Sequence, residues 1–217
     1  AMAVLDRLRA GRGALEAIDQ RLAKGRTGLA ACGERPLRDL LVLLALEADL
    51  ADLERLQVAV AMFAPSQQAQ SGRRIDAFKQ AVAARLAQTR RDVSVRVAVR
   101  DAAAGVADLA QAAERALKAA GVPVGGRGSD EVLTIDVLED VRTQHGSVRL
   151  VELRTGARFR LADGQGELFS GRCAAGPQTA VRAESEERAR QSSLAKLAPR
   201  LEAAIEEKLA QSMGQVE

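Results

Sequence analysis

The sequence predicts an α+β protein: a helical arm (an αα-hairpin plus a third helix) over residues 1–91, then a β-α-β-β-β-α module over 92–217 whose helices pack on one face of a mixed, mainly antiparallel sheet. Three observations carry this. Apolar side chains recur at helical spacing through the first part of the chain. They switch to strict alternation at Asp92–Arg100. Short glycine turns then separate three further strand-like runs before a final amphipathic helix.

Leu5, Leu8, Leu15, Ile18 and Leu22 fall on one side of a first helix, weakened in its middle by Gly11 and Gly13. Gly25 to Pro36 reads as a break. Leu37, Leu40, Leu41, Leu44, Leu50, Leu53, Leu56 and Val60 form the stripe of a longer second helix ending near Pro65. Residues 65–72 (PSQQAQSG) read as a polar loop, and Arg73 to Thr89 as a third helix using Ile75, Phe78, Val82 and Leu86. In DVSVRVAVR the valines 93, 95, 97 and 99 share one face of a strand. Ala104 to Ala120 returns to helix, closed by Gly121. Strands follow at 131–143, 148–162 and 167–174, with turns at His145-Gly146 and at Asp163–Gly166, giving an antiparallel meander. Thr179 to about Met213 reads as one long helix that Pro199 should kink or split.

Composition narrows the function. The chain has 217 residues, no Trp, no Tyr and four Phe, so it lacks the platforms that stack bases, sugars or flavins. Its 32 basic and 29 acidic residues leave +3, with the signs interleaved along the chain, which reads as solvated surface rather than a nucleic-acid face. The basic run Arg73, Arg74, Arg85, Arg90 and Arg91 is the segment a nucleic-acid reading would use, without aromatic partners for it. No run is apolar enough to span a bilayer, and the first residues do not read as a signal peptide. Cys32 and Cys173 are read as free buried thiols, a disulfide remaining open.

The search for chemistry yields no catalytic residue, no cofactor and no metal site. His145 is the single histidine and sits at a turn, so histidine-based triads and two-histidine zinc sites have little to build on. The loop VGGRGSD (124–130) has its glycines after a helix and before a strand, the reverse of a dinucleotide site. The paired acids Glu139-Asp140 and Glu186-Glu187 read as surface charge.

Several segments resemble known envelope proteins. Ala3–Leu8 (AVLDRL) is similar to the end of the strand that closes the conserved domain of Lpp-twenty-type bacterial lipoproteins. From Val93 onward, VSVRV, LAQAAERALKAAGV (109–122), LTIDV (133–137), ELFSGR (167–172) and the segment 179–205 resemble, in order, a module found in flagellar assembly protein T, the curli-secretion lipoprotein and penicillin-binding-protein activator lipoproteins. The family's lipobox cysteine and conserved domain are missing here, so the expectation is a C-terminal piece of a lipoprotein.

The resemblance implies a non-enzymatic scaffold or adaptor of the cell envelope, periplasmic and outer-membrane-associated if the full gene encodes a lipobox. It would act by protein–protein contact with envelope proteins or by self-association. Nucleic acid is not an expected partner, and membrane contact would come only through an anchor outside this chain. A homo-oligomeric structural protein is the alternative, and a histidine-independent hydrolase a weaker one. Contact is expected at an exposed sheet edge or on the arm, where Leu44, Leu53 and Leu56 lie on the apolar stripe.

Overall fold

The computed structural model describes residues 2–33, 35–100, 106–125, 130–144 and 150–214. By its contacts the chain divides after Asp92 into a helical unit and an α+β unit that begins at Val93.

The helical unit consists of α1 (Met2–Ala31), α2 (Pro36–Phe63), a 3-10 turn (Pro65–Gln67) and α3 (Gln68–Asp92). Pro36 opens α2, where its missing N–H removes a donor that would lack a partner anyway. One apolar cluster joins the three helices: Ala14, Ile18 and Leu22 of α1, Val42, Leu46, Leu50, Leu53 and Val60 of α2, and Ile75, Phe78 and Val82 of α3. Each fully buried Leu or Ile there contributes about 2 kcal/mol relative to exposure. Across the helix pairs, Arg21–Asp52 (2.9 Å), Arg74–Asp19 (2.6 Å) and Lys79–Glu54 (2.7 Å) form exposed ion pairs. Such pairs contribute under about 1 kcal/mol each and mainly fix which faces meet.

Four expectations change in this unit. The break read at Gly25 to Pro36 is shorter, since residues 25–31 are the last turns of α1. The polar segment 65–72 is not a loop, since Gln68–Gly72 forms the first turn of α3 and Ser71 and Gly72 are buried. Gly11, read as a weak point of α1, also has a packing role: a Cβ there would lie 2.8 Å from the Phe63 carbonyl oxygen, so the glycine lets the end of α2 approach. Ala3–Leu8, likened above to the end of a strand, lies within α1.

The second unit runs β1 (Arg96–Val99), α4 (Val106–Ala119), β2 (Val132–Gln144), β3 (Leu150–Asp163), β4 (Gly166–Cys173), a 3-10 turn (Pro177–Thr179), β5 (Val181–Ala183) and α5 (Glu186–Gly214). β1 is parallel to β2, and β2-β3-β4 is an antiparallel meander, so the sheet is mixed. The alternation begins at Val93 and Val95, both buried, but only Arg96–Val99 pair as a strand; Val95 adds an isolated bridge to Val124.

β3 is the long central element. Val151, Leu153, Ala157, Phe159 and Leu161 are buried on one of its faces, with Arg158 and Arg160 exposed between them on the other. On the buried face Phe159 meets Phe169 edge to face, centroids 6.5 Å apart. α4 offers Ala112, Ala113 and Ala116 toward the core, small side chains that let a neighbour close in. α5 lies alongside, and Arg115 clasps Glu202 with two nitrogens, the shorter contact 2.7 Å.

The segment read as one helix from Thr179 is three elements. The 3-10 turn and β5 precede α5, so the module has five strands, β-α-β-β-β-β-α. Pro199 does not split α5, which continues through it with Leu197, Ala198, Leu201 and Ile205 buried on either side.

Candidate binding surfaces

β3 changes partner along one edge. Ala157–Asp163 pair with β4, and Val151–Leu153 pair with β5. Thr155 falls in the gap, where its outward N–H and C=O meet no strand. Two side chains take the strand's place. The Ser193 Oγ on α5 accepts the Thr155 N–H at 3.1 Å, and the Thr179 hydroxyl donates to the Thr155 carbonyl at 2.7 Å. The Thr155 Oγ1 and Ser193 Oγ lie 2.9 Å apart, and the Ser193 hydroxyl donates to the Thr179 carbonyl at 2.5 Å. Each hydroxyl has one hydrogen, so Ser193 gives its own to Thr179, Thr179 to Thr155, and Thr155 to Ser193. The three fully buried residues close a ring of mutually polarising bonds. With its hydrogen committed and no surface exposed, Ser193 acts as a strut rather than a nucleophile. Replacing it with Ala strands the Thr155 N–H and the Thr179 carbonyl. Chemical denaturation should show a loss of about 2–3 kcal/mol, against no measurable loss for Ser192→Ala on the exposed side of the same helix.

Beside this gap, Glu152 is in register with Arg182 of β5 and sits two residues from Arg154. Arg154 Nη2 approaches it at 2.7 Å and Arg182 Nε at 2.8 Å. Hydrogen bonds from Arg154 and then Arg182 hold its carboxyl below the usual range. This triplet pins β5 onto β3.

Two surfaces of the second unit stand out among the described residues. The first is an edge of β2. Of its length from Val132 to Gln144, β1 pairs only Val132–Ile135. The carbonyls of Glu131 and Ile135 accept N–H groups from Arg96 and Arg100, so odd-numbered residues turn their backbone groups away from β3. By that alternation Val137, Glu139 and Val141 present theirs along an edge that no strand pairs among the described residues. Val141 is also 43% exposed, high for a large apolar side chain.

The second is a groove of about 640 Å3 lined by Arg100, Asp136, Arg158, Arg160, Arg172 and Lys208, with Phe159, Ser170 and Gly171. Across the sheet Asp136 is in register with Arg158, and Arg158 with Arg172. Arg100 Nη1 stands 3.8 Å from Asp136. Five cations thus face one carboxylate. The pleat gathers Arg158, Arg160 and Arg172 on one side of β3 and β4, and Lys208 of α5 completes a basic lining that the sequence reading missed. The available signal was arginine at even spacing on one strand face, two residues apart in Arg158/Arg160 and four in Arg96/Arg100.

The residues singled out from sequence lie elsewhere. Leu53 is 1% exposed inside the helical cluster, Leu56 is half-buried against that cluster, and Leu44 is buried. Of the basic run, Arg74 and Arg90 are ion-paired with Asp19 and Glu47, and Arg85 donates to the Cys32 carbonyl. Asp39, near the start of α2, is buried, which raises its carboxyl pKa against the opposing hydrogen bonds from the Gly33 and Arg35 backbone. Cys32 and Cys173 are not bonded, and burial pushes both thiols up, away from the reactive thiolate. His145 and most of the loop 124–130 lie outside the described residues. Among the described residues no acidic, histidine or cysteine cluster could hold a metal, and no helix is long and apolar enough to cross a membrane.

No family model and no curated protein matches the chain. Among solved structures it is similar to a minor lipoprotein from Acinetobacter baumannii, at 20% identity and a TM-score of 0.31, over 57% of this chain and 91% of that one.

Proposed function

We propose that this chain is a non-enzymatic adaptor or scaffold of the cell envelope, working by protein–protein contact, with a partner strand adding to the free edge of β2. The backbone of Val137, Glu139 and Val141, which no strand pairs among the described residues, carries the reading. An exposed row of N–H and C=O groups is a template for strand addition, and proteins that do not use such an edge blunt it. The neighbouring groove supports a binding role, since five cations beside one carboxylate, Asp136, suit an anion, and the carboxylate pair of glycoside hydrolysis is not in its lining. The envelope assignment rests on the resemblance of the module from Val93 onward, since Ala3–Leu8 is helical.

Two measurements test this. Fractionation of cells expressing the full gene should place the product in the envelope, and a purely cytoplasmic product removes that part of the reading. A photo-crosslinking residue at position 141 should give a discrete protein adduct in those cells. Val137→Pro deletes one outward N–H and leaves the β3 ladder intact, and it should cut the adduct at least fivefold. An adduct indifferent to that change means the edge is not the contact.

Self-association is the second reading. Val58 and Met62, one turn apart on α2, are 61% and 68% exposed. Two side chains fall far short of the roughly 1,000 Å2 of a specific interface, which makes this the weaker account. Sedimentation as a strict monomer at high concentration would remove it.

A further inference from the structure

The groove carries an excess of four positive charges, one more than the +3 of the whole chain. Balanced charge elsewhere and concentrated charge here need a physical reason. Folding does not supply one. Arg158 and Arg172 stand directly opposite each other on neighbouring antiparallel strands, an arrangement of like charges that destabilises a sheet. Neither they nor Arg160 has a carboxylate within ion-pair distance among the described residues, whereas Arg154 and Arg182 on the same sheet share Glu152. Their side chains are exposed, and the alternate residues Ala157, Phe159 and Cys173 supply the packing. Uncharged polar residues at 158 and 172 would serve the strands better.

We infer that the groove binds an organic anion carrying at least two phosphoryl groups. Four of the five cations are arginines, whose planar fork matches two phosphate oxygens at once. A phosphomonoester carries about −1.5 to −2 at neutral pH, so two of them balance the excess. The volume lies within the range of about 300–1,000 Å3 that takes a small organic ligand. The Ser170 hydroxyl, in register with Arg160, adds a neutral donor on the lining. The same chemistry is offered by a free polyphosphorylated molecule and by the headgroups of an anionic lipid surface.

The test uses the full chain, with sodium tripolyphosphate titrated by calorimetry at fixed ionic strength. In parallel, vesicles of phosphatidylcholine with phosphatidylglycerol are compared with phosphatidylcholine alone. Arg158→Gln with Arg172→Gln is the groove variant. Arg73→Gln with Arg91→Gln, both exposed on α3, removes the same charge elsewhere. Binding of tripolyphosphate should weaken at least tenfold in the groove variant and less than twofold in the control. Removal of the opposed arginines should leave the melting temperature equal or higher, so a failure to fold cannot imitate lost binding. Tripolyphosphate binding with this pattern assigns a free ligand. Binding only to the phosphatidylglycerol vesicles, with the same loss in the groove variant, assigns a headgroup. The inference is overturned if neither probe binds below millimolar concentration, or if both variants bind alike. It is equally overturned if a single-stranded 20-nucleotide DNA binds the groove more tightly than either probe. None of these outcomes bears on the β2 edge, whose adduct is read separately.

Discussion

Leu53→Asp unfolds the helical unit. Leu53 is 1% exposed and belongs to the cluster where all three helices meet, together with Ile18 and Leu22 of α1 and Ile75 and Phe78 of α3. Truncation of such a leucine to Ala already costs about 2–5 kcal/mol through lost transfer energy and the cavity left behind. A carboxylate adds the cost of burying a charge with no partner, since the cluster around Leu53 is made entirely of apolar side chains. The sum reaches the whole stability of a small unit, about 5–15 kcal/mol at most. Circular dichroism should show loss of much of the α-helical signal at room temperature, with new protease cleavage between residues 2 and 92. Leu56→Asp is the contrast, because Leu56 is half-buried and its carboxylate can reach water. It should cost about 1–2 kcal/mol and leave the helices formed. A folded Leu53→Asp protein would mean that this position does not sit in the core, and would return it to the list of contact residues.

The same two leucines show what periodicity can and cannot tell. The spacing of Leu50, Leu53 and Val60 identifies an apolar stripe on α2, and the stripe is where the helix packs. Spacing does not say whether a partner helix of the same chain or of another protein covers it. In the second unit the two-residue rhythm of Val93 to Val99, 133–137 and 167–173 was readable because core residues there alternate with polar ones. β5 was not readable: three residues, Val181–Ala183, hold their place through Glu152 and a register with β3 that no local signal encodes. Ser193 and Thr179 read as ordinary helix residues until the gap in the β3 edge is known, since their task is to satisfy the backbone of a residue far away in sequence. The basic groove stayed hidden for a related reason. Its cations come from positions 100, 158, 160, 172 and 208, and only strand pairing, with the docking of α5 that brings Lys208, places them together. Long regular elements are local statements and survive translation into structure, whereas edges, gaps and charged faces are products of pairing.

Gly156→Ala should be the most damaging single-methyl addition in the second unit. Gly156 sits where β3 has left β5 and has not yet met β4, and the chain after Cys173 passes hard against it. A Cβ there would lie 2.5 Å from both the Ala175 nitrogen and the Cys173 oxygen. Both atoms are backbone, so no side-chain rotation relieves the contact. Ordinary packing needs about an ångström more, which can come only from pushing the 173–175 segment off β3. That movement breaks the Ala157–Cys173 pair and pulls on Thr179, four residues after Ala175, whose hydroxyl closes the buried ring. Overpacking costs about 1–3 kcal/mol, and disturbing the ring adds part of the 1–3 kcal/mol of a stranded buried donor. Urea unfolding should therefore show a loss of about 3–5 kcal/mol, with Gly164→Ala, whose added carbon meets nothing closer than 3.8 Å, near neutral. Combining Gly156→Ala with Ser193→Ala separates the two causes. If the crossing segment acts through the ring, the double variant loses less than the sum of the single losses, because the second change removes bonds the first has already strained. Strict additivity would show that the crossing and the ring stabilise the sheet independently.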